Sequence, residues 1–464
     1  MHSEKYCIIG GGPAGLAMAR SFKARGIKFD IFEKHSDVGG IWDPENPGSP
    51  MYKSAHFISS KTLSGYFDYP MPEDYPDYPS NRQVLDYHRA FAREHDLYRD
   101  ITFNTSVREI RDFDHGWRVT LANGEERDYK GVVCASGITW DPSMPTFEGD
   151  FNGEIMHSVE YQDAELFRGK RVLIVGAGNS GCDIACDAGA AADQAFISVR
   201  RGYHFIPKHL FGKPSDVVGE ESKWLPTRLN QLIFGFLLKK FMVGDLTRLG
   251  LPEPDHRILE SHPIMNDQLI HNLRHGDVRA KHDITRLDGD YVEFKDGSRE
   301  KIDLIVCATG YKWSIPYMDK SYFSWKGGRP DLYLSLFNRE HPNLFALGYM
   351  ETDGGAYKLF DEMADLISNY VLHERESSGT RFRRLIQEDR PTLNGGVKYL
   401  KTDRHAAYVN KRAYLKYIRK LRKRLGWSAL RPGQFDALRI LRADSEASPK
   451  AADLIAGGKQ HVAV

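Results

Sequence analysis

Two short apolar runs, residues 6–9 and 172–175, have the length and the β-rich composition of buried strands. Each run passes into a glycine-rich turn, and each turn opens into a stretch of small apolar residues that continues as a helix. This order of strand, turn and helix recurs about 165 residues later in the chain. The pattern of apolar and polar positions therefore predicts an α/β fold in which the two runs occupy equivalent places.

Both turns have the glycine spacing G-x-G-x-x-G, which is formed by Gly10, Gly12 and Gly15 in the first and by Gly176, Gly178 and Gly181 in the second. The first glycine of such a turn permits a tight bend, and the second lets a pyrophosphate approach the backbone. The third lets the helix pack closely on the strand, while the amino terminus of the helix faces the phosphates. Both turns therefore predict dinucleotide sites. The candidate contacts beside these glycines are Pro13, Ala14, Asn179 and Ser180.

The internal repeat extends beyond the two turns. Asn-Gly at 123–124 and Asp-Gly at 296–297 are hairpin signals, and a cysteine in an apolar run lies ten residues after each hairpin glycine. These runs end in Ala-Ser-Gly at 135–137 and Ala-Thr-Gly at 308–310, so Thr309 and Gly310 are candidate contacts of the second nucleotide. We therefore predict two nucleotide-binding units, each closed by an apolar strand that returns to its site.

The two units differ where their ligands would differ. Glu33 lies 23 residues after Gly10, where an acidic side chain can bind a ribose hydroxyl and would repel a 2′-phosphate. Arg200 and Arg201 take the corresponding place in the second unit, and guanidinium groups match a 2′-phosphate. We therefore predict FAD in the first unit and NADPH in the second. A solvated turn is the alternative interpretation of the arginine pair.

A third motif lies between the units. Residues 151–161, Phe-Asn-Gly-Glu-Ile-Met-His-Ser-Val-Glu-Tyr, fit the pattern FxGxxxHxxxY. Together with Gly-Gly-Ile-Trp at 39–42, the arginine pair and Ala-Thr-Gly-Tyr at 308–311, this motif resembles the class B flavin-containing monooxygenases, which are related to the Baeyer–Villiger monooxygenases. The resemblance extends from the start of the chain to about residue 375.

The resemblance implies two Rossmann-like dinucleotide-binding domains, with the NADPH domain inserted into the FAD domain. It places Gly40, Ile41 and Trp42 among the FAD contacts. The implied boundaries are 1–165 for the first part of the FAD domain, 166–310 for the NADPH domain with an insertion at about 203–283, 311–445 for the second part of the FAD domain, and 446–464 for a flexible tail.

The resemblance also implies the chemistry. In this family NADPH reduces FAD, dioxygen adds to the reduced flavin, and the resulting hydroperoxide oxygenates a soft nucleophile. Tyr161 stands where Baeyer–Villiger enzymes typically carry tryptophan, which favours oxygenation of amine nitrogen or sulfide sulfur. Baeyer–Villiger oxygenation of ketones and an uncoupled NADPH oxidase or redox-sensing flavoprotein are the alternatives. His157 of the same motif is interpreted as a residue that couples the two domains.

One position departs from the family pattern. Related monooxygenases place an asparagine three residues before a lysine near the flavin, and the alignment of Lys61 puts Ile58 at that place. Isoleucine carries no hydrogen-bond donor. His56, Ser59 and Ser60 are the candidate catalytic residues that would replace it. We therefore expect weaker stabilisation of the hydroperoxide and more release of hydrogen peroxide than is usual for the family.

Composition limits the remaining possibilities. A net charge of +1 gives no field that would attract nucleic acid, and five cysteines without a CxxC pair indicate no disulfide relay and no metal site. No leader pattern is apparent, and the longest apolar stretch, residues 229–243, is too short to span a bilayer. A cytoplasmic enzyme with a small-molecule substrate and dioxygen as partners is therefore expected.

Two apolar or amphipathic segments lie outside these motifs. For residues 229–243 we expect a buried helix, with a cap on the substrate channel, a contact in a homodimer or a membrane-surface helix as alternatives. Residues 411–427 have an apolar stripe among basic residues, which favours a helix docked on the core over a site for an anionic partner or a lipid surface.

Overall fold

The computed structural model describes residues 3–221, 227–400, 402 and 407–439. Its α-helices are Pro13–Ala24, Lys61–Ser64, Asn81–Glu94, Asn179–Ala191, Ser215–Glu221, Thr227–Leu237, Gln268–His275, Tyr357–His373, Ser377–Glu388 and Lys411–Leu425. Short 3-10 helices are Gly40–Trp42, Tyr98–Asp100, Ala164–Phe167, Thr247–Leu249 and Lys320–Tyr322, and Leu238–Met242 forms a π-helical turn. Two helices follow the predicted glycine turns. We call Pro13–Ala24 the first turn helix and Asn179–Ala191 the second turn helix.

The first unit is built on a seven-stranded sheet. Its strand order is Leu332–Tyr333, Phe337–Asn338, Leu344–Ala346, Gly131–Cys134, Tyr6–Ile9, Phe29–Phe32 and Ile101–Thr102. The last five strands pair in parallel, and their apolar side chains other than that of Phe29 are buried. Strands buried on both faces require near-continuous apolar runs, which explains the pattern in the sequence.

The second unit has a five-stranded sheet, all of whose neighbouring strands pair in parallel. Its order is Glu154–His157, Leu304–Cys307, Arg171–Val175, Gln194–Ser198 and Val278–Lys281. The predicted α/β class is confirmed. Two strands fall outside the predicted boundaries: Glu154–His157 lies before residue 166, and Val278–Lys281 lies inside the predicted insertion at 203–283. The insertion therefore ends where the helix Gln268–His275 leads into the sheet.

Both predicted hairpins form, each within a small antiparallel sheet. The first sheet contains Val107–Phe113, Gly116–Leu121 and Glu126–Tyr129, and its last two strands are joined at the Asn-Gly turn. The second contains Ile284–Gly289, Tyr291–Phe294 and Arg299–Lys301, with Gly149–Phe151 added in parallel at its edge. The strands Tyr291–Phe294 and Arg299–Lys301 are joined at the Asp-Gly turn, as predicted.

The chain passes between the two units at two adjacent places. Asp141–Pro142 on the outgoing connection pairs in antiparallel fashion with Tyr311–Lys312 on the return. Three more two-residue pairings complete the strands: His209–Leu210 with Lys213–Pro214, Trp325–Lys326 with Arg329–Pro330, and Glu351–Thr352 with Tyr408–Val409. The two ends of the second unit therefore lie side by side.

Buried ion pairs join the late helices to the first unit. Arg20 of the first turn helix binds Asp361 of the helix Tyr357–His373 at 2.7 Å, and both side chains are inaccessible to solvent. Arg422 of the last helix binds Glu362 and Asp365 of the same helix. Tyr414, Ile418, Leu421 and Leu425 are buried beneath that last helix. The predicted docking of the helix on the core is confirmed.

The insertion departs from the expected buried helix. The helix Thr227–Leu237 and the turn after it leave Leu229, Leu232, Ile233, Phe236 and Phe241 exposed, while Gln231 and Leu238 are buried. The prediction of a buried segment is therefore wrong for this face, because only one side of the helix finds a partner in the fold. Within the described ranges, no helix is both long and apolar enough to cross a membrane. The predicted tail at 446–464 lies outside the described residues.

Candidate active site

The two glycine turns have nearly the same geometry. Gly10 and Gly176 adopt φ angles of +105° and +104°, which favour glycine. A Cβ atom at Gly10 would lie 2.6 Å from the carbonyl oxygen of Ala135, and one at Gly176 would lie 2.7 Å from that of Ala308. In both units the closing strand therefore passes directly against the turn, at the carboxyl edge of the parallel sheet.

The amino termini of both turn helices are available to a ligand. Gly12 and Gly178 are the N-cap residues, and no described side chain caps either helix. A Cβ atom at Gly15 or Gly181 would lie 1.9 or 2.0 Å from the first glycine's carbonyl oxygen, which explains why the third position must be glycine. A Cβ atom at Gly178 would meet no atom within 4 Å. Uncapped N–H groups fit a pyrophosphate at both turns, and the second turn also has open space beside it.

Glu33 lies beside the first turn, at the end of the strand Phe29–Phe32. Its Oε2 accepts a hydrogen bond from the N–H of Gly11 at 2.5 Å, and its Oε1 accepts one from the N–H of His35 at 2.8 Å. Burial raises the pKa of the Glu33 carboxyl, and the two backbone donors oppose that rise. Each oxygen keeps a further acceptor position. The carboxylate thus fits the ribose-binding role predicted for it.

An aromatic wall beside Glu33 was not predicted from the sequence. The Lys34 ammonium lies 3.9 Å from the ring centroid of Trp140, and the His35 ring lies 5.6 Å from it. Trp140 follows the closing strand of the first unit, so its approach to Lys34 depends on the folded sheet. A half-buried aromatic ring offers a stacking surface for a planar base, and this ring lies near the carboxylate predicted to bind a ribose.

Gly-Gly-Ile-Trp at 39–42 packs against the first turn. The N–H of Gly39 donates to the carbonyl of Gly11 at 3.2 Å, and a Cβ atom at Gly12 would lie 3.5 Å from Cα of Gly40. Ile41 is partly exposed, whereas Trp42 is buried against Phe57 with ring centroids 5.2 Å apart. Of the predicted contacts, Gly40 therefore borders the turn, Ile41 is partly exposed beside it in the chain, and Trp42 packs on Phe57.

Several second-unit candidates meet at the carboxyl edge of the second sheet. Asn179 begins the second turn helix, and its Oδ1 accepts a hydrogen bond from the N–H of Met265 at 3.0 Å. Ser180 is exposed in the first turn of that helix. Arg200 is exposed just beyond the strand Gln194–Ser198, and Arg201 packs its guanidinium 5.1 Å from the ring centroid of Tyr203. This placement fits a phosphate that approaches from the solvent side.

Thr309 and Gly310 connect the second turn to the linker motif. The Thr309 hydroxyl donates to the carbonyl of Ser143 at 2.6 Å, and the Gly310 carbonyl accepts from the N–H of Ser143 at 3.0 Å. Nε2 of His157 lies 3.1 Å from the same Gly310 carbonyl. The carbonyl can only accept, so Nε2 donates this hydrogen bond, while Nδ1 accepts from the N–H of Val159 at 3.2 Å, and burial lowers the pKa of the ring. The contact ties the linker motif to the return connection between the units.

The three candidate catalytic residues differ in exposure and in hydrogen-bond partners. His56 is exposed, with Nδ1 2.8 Å from the carbonyl of Ser54, and the Ser59 hydroxyl accepts from Ser64 at 2.8 Å. Ser60 is fully buried, its N–H donates to Asp216 at 2.7 Å, and its hydroxyl has no hydrogen-bond partner among the described residues. Ser60 is therefore the candidate whose hydroxyl is unengaged.

The loop after the last parallel strand of the first sheet closes on these residues. We call residues 348–356 the closing loop. A Cβ atom at Gly348 would lie 3.2 Å from Cβ of Ala14, and one at Gly355 would lie 2.6 Å from the carbonyl of Leu63. Tyr357, which begins the next helix, stacks on Phe57 with centroids 5.6 Å apart. The first turn, the segment around Ile58 and the closing loop therefore border one region.

Two carboxylates of the second turn helix bind the residues that precede Ile58 in the chain. Asp183 accepts from the Tyr52 hydroxyl at 3.1 Å, and Asp187 accepts from Ser54 and from Tyr161. Burial raises the pKa of Asp183, and Lys208 and the Tyr52 hydroxyl oppose the rise. These residues were missed in the sequence. Acidic residues four positions apart on an otherwise apolar helix are the signal that could have found them.

The sequence and fold have relatives among known proteins. Residues 3–372 match the family model described as flavin-binding monooxygenase-like. Flavin-containing monooxygenase 5 of Homo sapiens is 32% identical over 384 residues, covering 76% of this chain and 70% of that protein. Dimethylaniline monooxygenase (N-oxide-forming) 2 of Mus musculus is 32% identical over 384 residues, covering 76% and 71%. The structure of OTEMO in complex with FAD and NADP shares the fold, with a TM-score of 0.63, 21% identity and coverage of 80% and 84%.

Proposed function

Because the chain belongs to the flavin-binding monooxygenase-like family, we propose that it uses FAD, NADPH and dioxygen to oxygenate an amine nitrogen or a sulfide sulfur. The observation that supports this proposal most directly is the pair of matching turns with opposite charges beside them. Glu33 stands at the first turn, and Arg200 and Arg201 stand at the second. A carboxylate suits a ribose hydroxyl, and guanidinium groups suit a 2′-phosphate.

The residues fit both dinucleotides in a Rossmann-like arrangement. In the first unit, the uncapped helix at Gly12 would hold the FAD pyrophosphate, with Glu33 and the Trp140 ring at its adenosine. In the second unit, the open space at Gly178 and the exposed Ser180 would receive the NADPH pyrophosphate. When bound, the flavin supplies the activation of dioxygen, which no amino-acid side chain provides.

The chain's own contribution is orientation and exclusion of water. Trp42, Phe57 and Tyr357 form a buried aromatic row between the first turn and the closing loop. An apolar wall at this place keeps water from the reacting atoms. The amino terminus of the helix Tyr357–His373 lies at the end of the same loop, where its dipole favours negative charge.

One observation favours a second candidate function. Ile58 has no donor at the position where related monooxygenases carry an asparagine, and the Ser60 hydroxyl is fully buried. A site that lacks this donor would release more of the activated oxygen as hydrogen peroxide. An uncoupled NADPH oxidase or redox-sensing flavoprotein is therefore the competing proposal.

A single set of assays distinguishes the candidates. NADPH oxidation, oxygen uptake and hydrogen peroxide are measured together while an amine, a thioether and a ketone are offered in parallel, with product analysis of each. We expect N-oxide or sulfoxide formation. Lactone or ester from the ketone without sulfoxide would establish Baeyer–Villiger oxygenation instead. Stoichiometric peroxide with every compound would establish the oxidase, and protein that stays colourless when FAD is supplied would overturn all three.

A further inference from the structure

A segment beyond the family match bridges the two units at the edge of the site. We call the described residues 393–400 and 407–409 the bridging segment. Its strand Tyr408–Val409 pairs in parallel with Glu351–Thr352 of the closing loop, and the N–H of Glu351 donates to the carbonyl of Ala407 at 3.3 Å. Lys411, just after the segment, donates from Nζ to the carbonyl of Gly355 at 2.6 Å. One side of the segment is thus fixed to the first unit.

The other side of the bridging segment is fixed to the insertion. The N–H of Leu400 donates to the carbonyl of Glu260 at 2.9 Å. The Tyr408 hydroxyl lies 3.0 Å from Nδ1 of His262, within hydrogen-bond distance. Tyr399 packs on Tyr408 with ring centroids 4.7 Å apart. Tyr408 therefore contacts the insertion directly, and Tyr399 packs behind it on the bridging segment.

The insertion residues that follow His262 in the chain bind the second turn helix. The N–H of Met265 donates to Asn179, and Nδ2 of Asn266 donates to Oδ1 of Asp183 at 2.7 Å. The contact between His262 and Tyr408 therefore connects the start of the second turn helix with the closing loop of the first unit. Ligands of parallel α/β sheets bind at the carboxyl edges of the strands, where both of these places lie.

From this placement we propose that Tyr408, with Tyr399 packed against it, determines which substrates reach the region between the two nucleotides. This inference rests on the proposed function. Tyr408 is buried and Tyr399 is half-buried, so the two packed rings are held in place between the closing loop and the insertion. Such a wall admits small apolar amines or sulfides and obstructs bulky ones, and it restricts the access of solvent to the flavin.

The test uses the full-length flavin-loaded protein and the substitution Tyr408→Ala. Iodide quenching of the bound flavin fluorescence reports solvent access, and kcat/KM is compared for methyl phenyl sulfide and dibenzyl sulfide. We expect stronger quenching and a shift of about tenfold towards the bulkier sulfide, the scale on which pocket size discriminates substrates. Tyr291→Ala, at an exposed tyrosine of the second hairpin, is the control and changes neither quantity.

The outcomes separate this inference from the proposed function. A variant that keeps its fold and flavin but shows unchanged quenching and an unchanged sulfide ratio overturns the role of Tyr408. If Tyr408→Ala loses flavin, Tyr408→Leu, which keeps an apolar side chain but removes the ring, takes its place, and unchanged quenching and an unchanged sulfide ratio in that variant overturn the role equally. Absence of both N-oxide and sulfoxide from the unaltered protein contradicts the proposed function, while the quenching comparison still decides whether Tyr408 covers the flavin.

Discussion

The phenol hydroxyl of Tyr161 donates a hydrogen bond to Oδ2 of Asp187 at 2.8 Å, which joins the linker motif to the second turn helix. The hydroxyl of Ser54 donates to the same carboxylate. Because Ser54 and Ile58 belong to one short segment, the helix expected to bind NADPH also holds the residues expected to lie at the flavin. The tyrosine of the linker motif thus has a physical role in this chain.

Removing that hydroxyl should weaken the junction between the units. We expect Tyr161→Phe to lower the free energy of unfolding by about 1.5–3 kcal/mol, because a hydrogen bond to a charged acceptor is lost. The shift of the urea midpoint at constant slope measures the change. Tyr291→Phe is the matched control at an exposed tyrosine, where we expect less than about 0.5 kcal/mol. Equal shifts in both variants would contradict the prediction.

Glu33 should be required for flavin binding. Glu33→Ala removes the acceptor of the N–H groups of Gly11 and His35 together with the expected ribose partner. We expect purified protein with little flavin, measured as the ratio of flavin to protein absorbance. Glu109→Ala, on an exposed strand of the first hairpin sheet, should leave that ratio unchanged. Full flavin content in the Glu33 variant would show that the ribose does not bind there.

The arginine pair should set the coenzyme preference. We expect replacement of Arg200 and Arg201 by alanine to raise the KM for NADPH about 10- to 150-fold relative to NADH, which corresponds to about 1.5–3 kcal/mol for lost charge-assisted hydrogen bonds. Steady-state kinetics with both coenzymes measure the ratio. Arg168→Ala is the control, since this arginine precedes the strand Arg171–Val175 and lies at the opposite edge of the sheet. An unchanged preference would mean that the phosphate binds elsewhere.

Restoring a donor at position 58 should improve coupling. We expect Ile58→Asn to lower the hydrogen peroxide released per NADPH oxidised, because the asparagine amide supplies the hydrogen-bond donor that isoleucine lacks. A peroxide assay run beside NADPH oxidation in the presence of a thioether measures the fraction. Ile58→Val changes the side-chain volume without adding a donor and serves as the control. The same decrease in both variants would point to packing rather than to hydrogen bonding.

The buried His88 should make stability depend on pH. Burial lowers the pKa of His88 to about 3, whereas an unfolded histidine titrates near 6.5. Between these values the unfolded chain binds a proton that the folded chain does not, so stability falls as the pH drops below about 6.5. At pH 5 this one residue costs about 2 kcal/mol.

The variant His88→Leu should remove that part of the pH dependence. Urea midpoints at pH 7 and pH 5 should differ less for the variant than for the unaltered protein. His115→Asn, at an exposed turn residue, is the control and should keep the full difference. His95, which burial also gives a pKa of about 3, continues to destabilise the variant in acid. An identical pH dependence in all three proteins would contradict the prediction.

Local sequence patterns were sufficient to predict most of the fold. The glycine turns, the Asn-Gly and Asp-Gly hairpins and the apolar closing strands are local signals, and all of them form in the structure. Val278–Lys281 was included in the insertion at about 203–283, yet it extends the parallel sheet; its alternation of apolar and charged residues lacks the continuous apolar run typical of a strand buried on both faces. The helix at Thr227–Leu237 has an apolar composition, and composition does not reveal which face lacks a partner.

Long-range contacts at the site had no local signal. Tyr52 and Asp183 are 131 residues apart, and Glu351 pairs with Tyr408, which lies beyond two further helices in the chain. The charges at Glu33 and Arg200 were predictable because each follows its glycine turn at a fixed interval. Trp140 was not, because its contact with Lys34 exists only once the sheet brings the two connections together.

The side-by-side connections at Asp141–Pro142 and Tyr311–Lys312 have a consequence for engineering. The chain between these two strands, residues 143–310, leaves the first unit and re-enters it at adjacent positions. This stretch is therefore a cassette with adjacent ends. Exchanging that cassette between relatives should transplant coenzyme choice in one piece, with only two splice points to match.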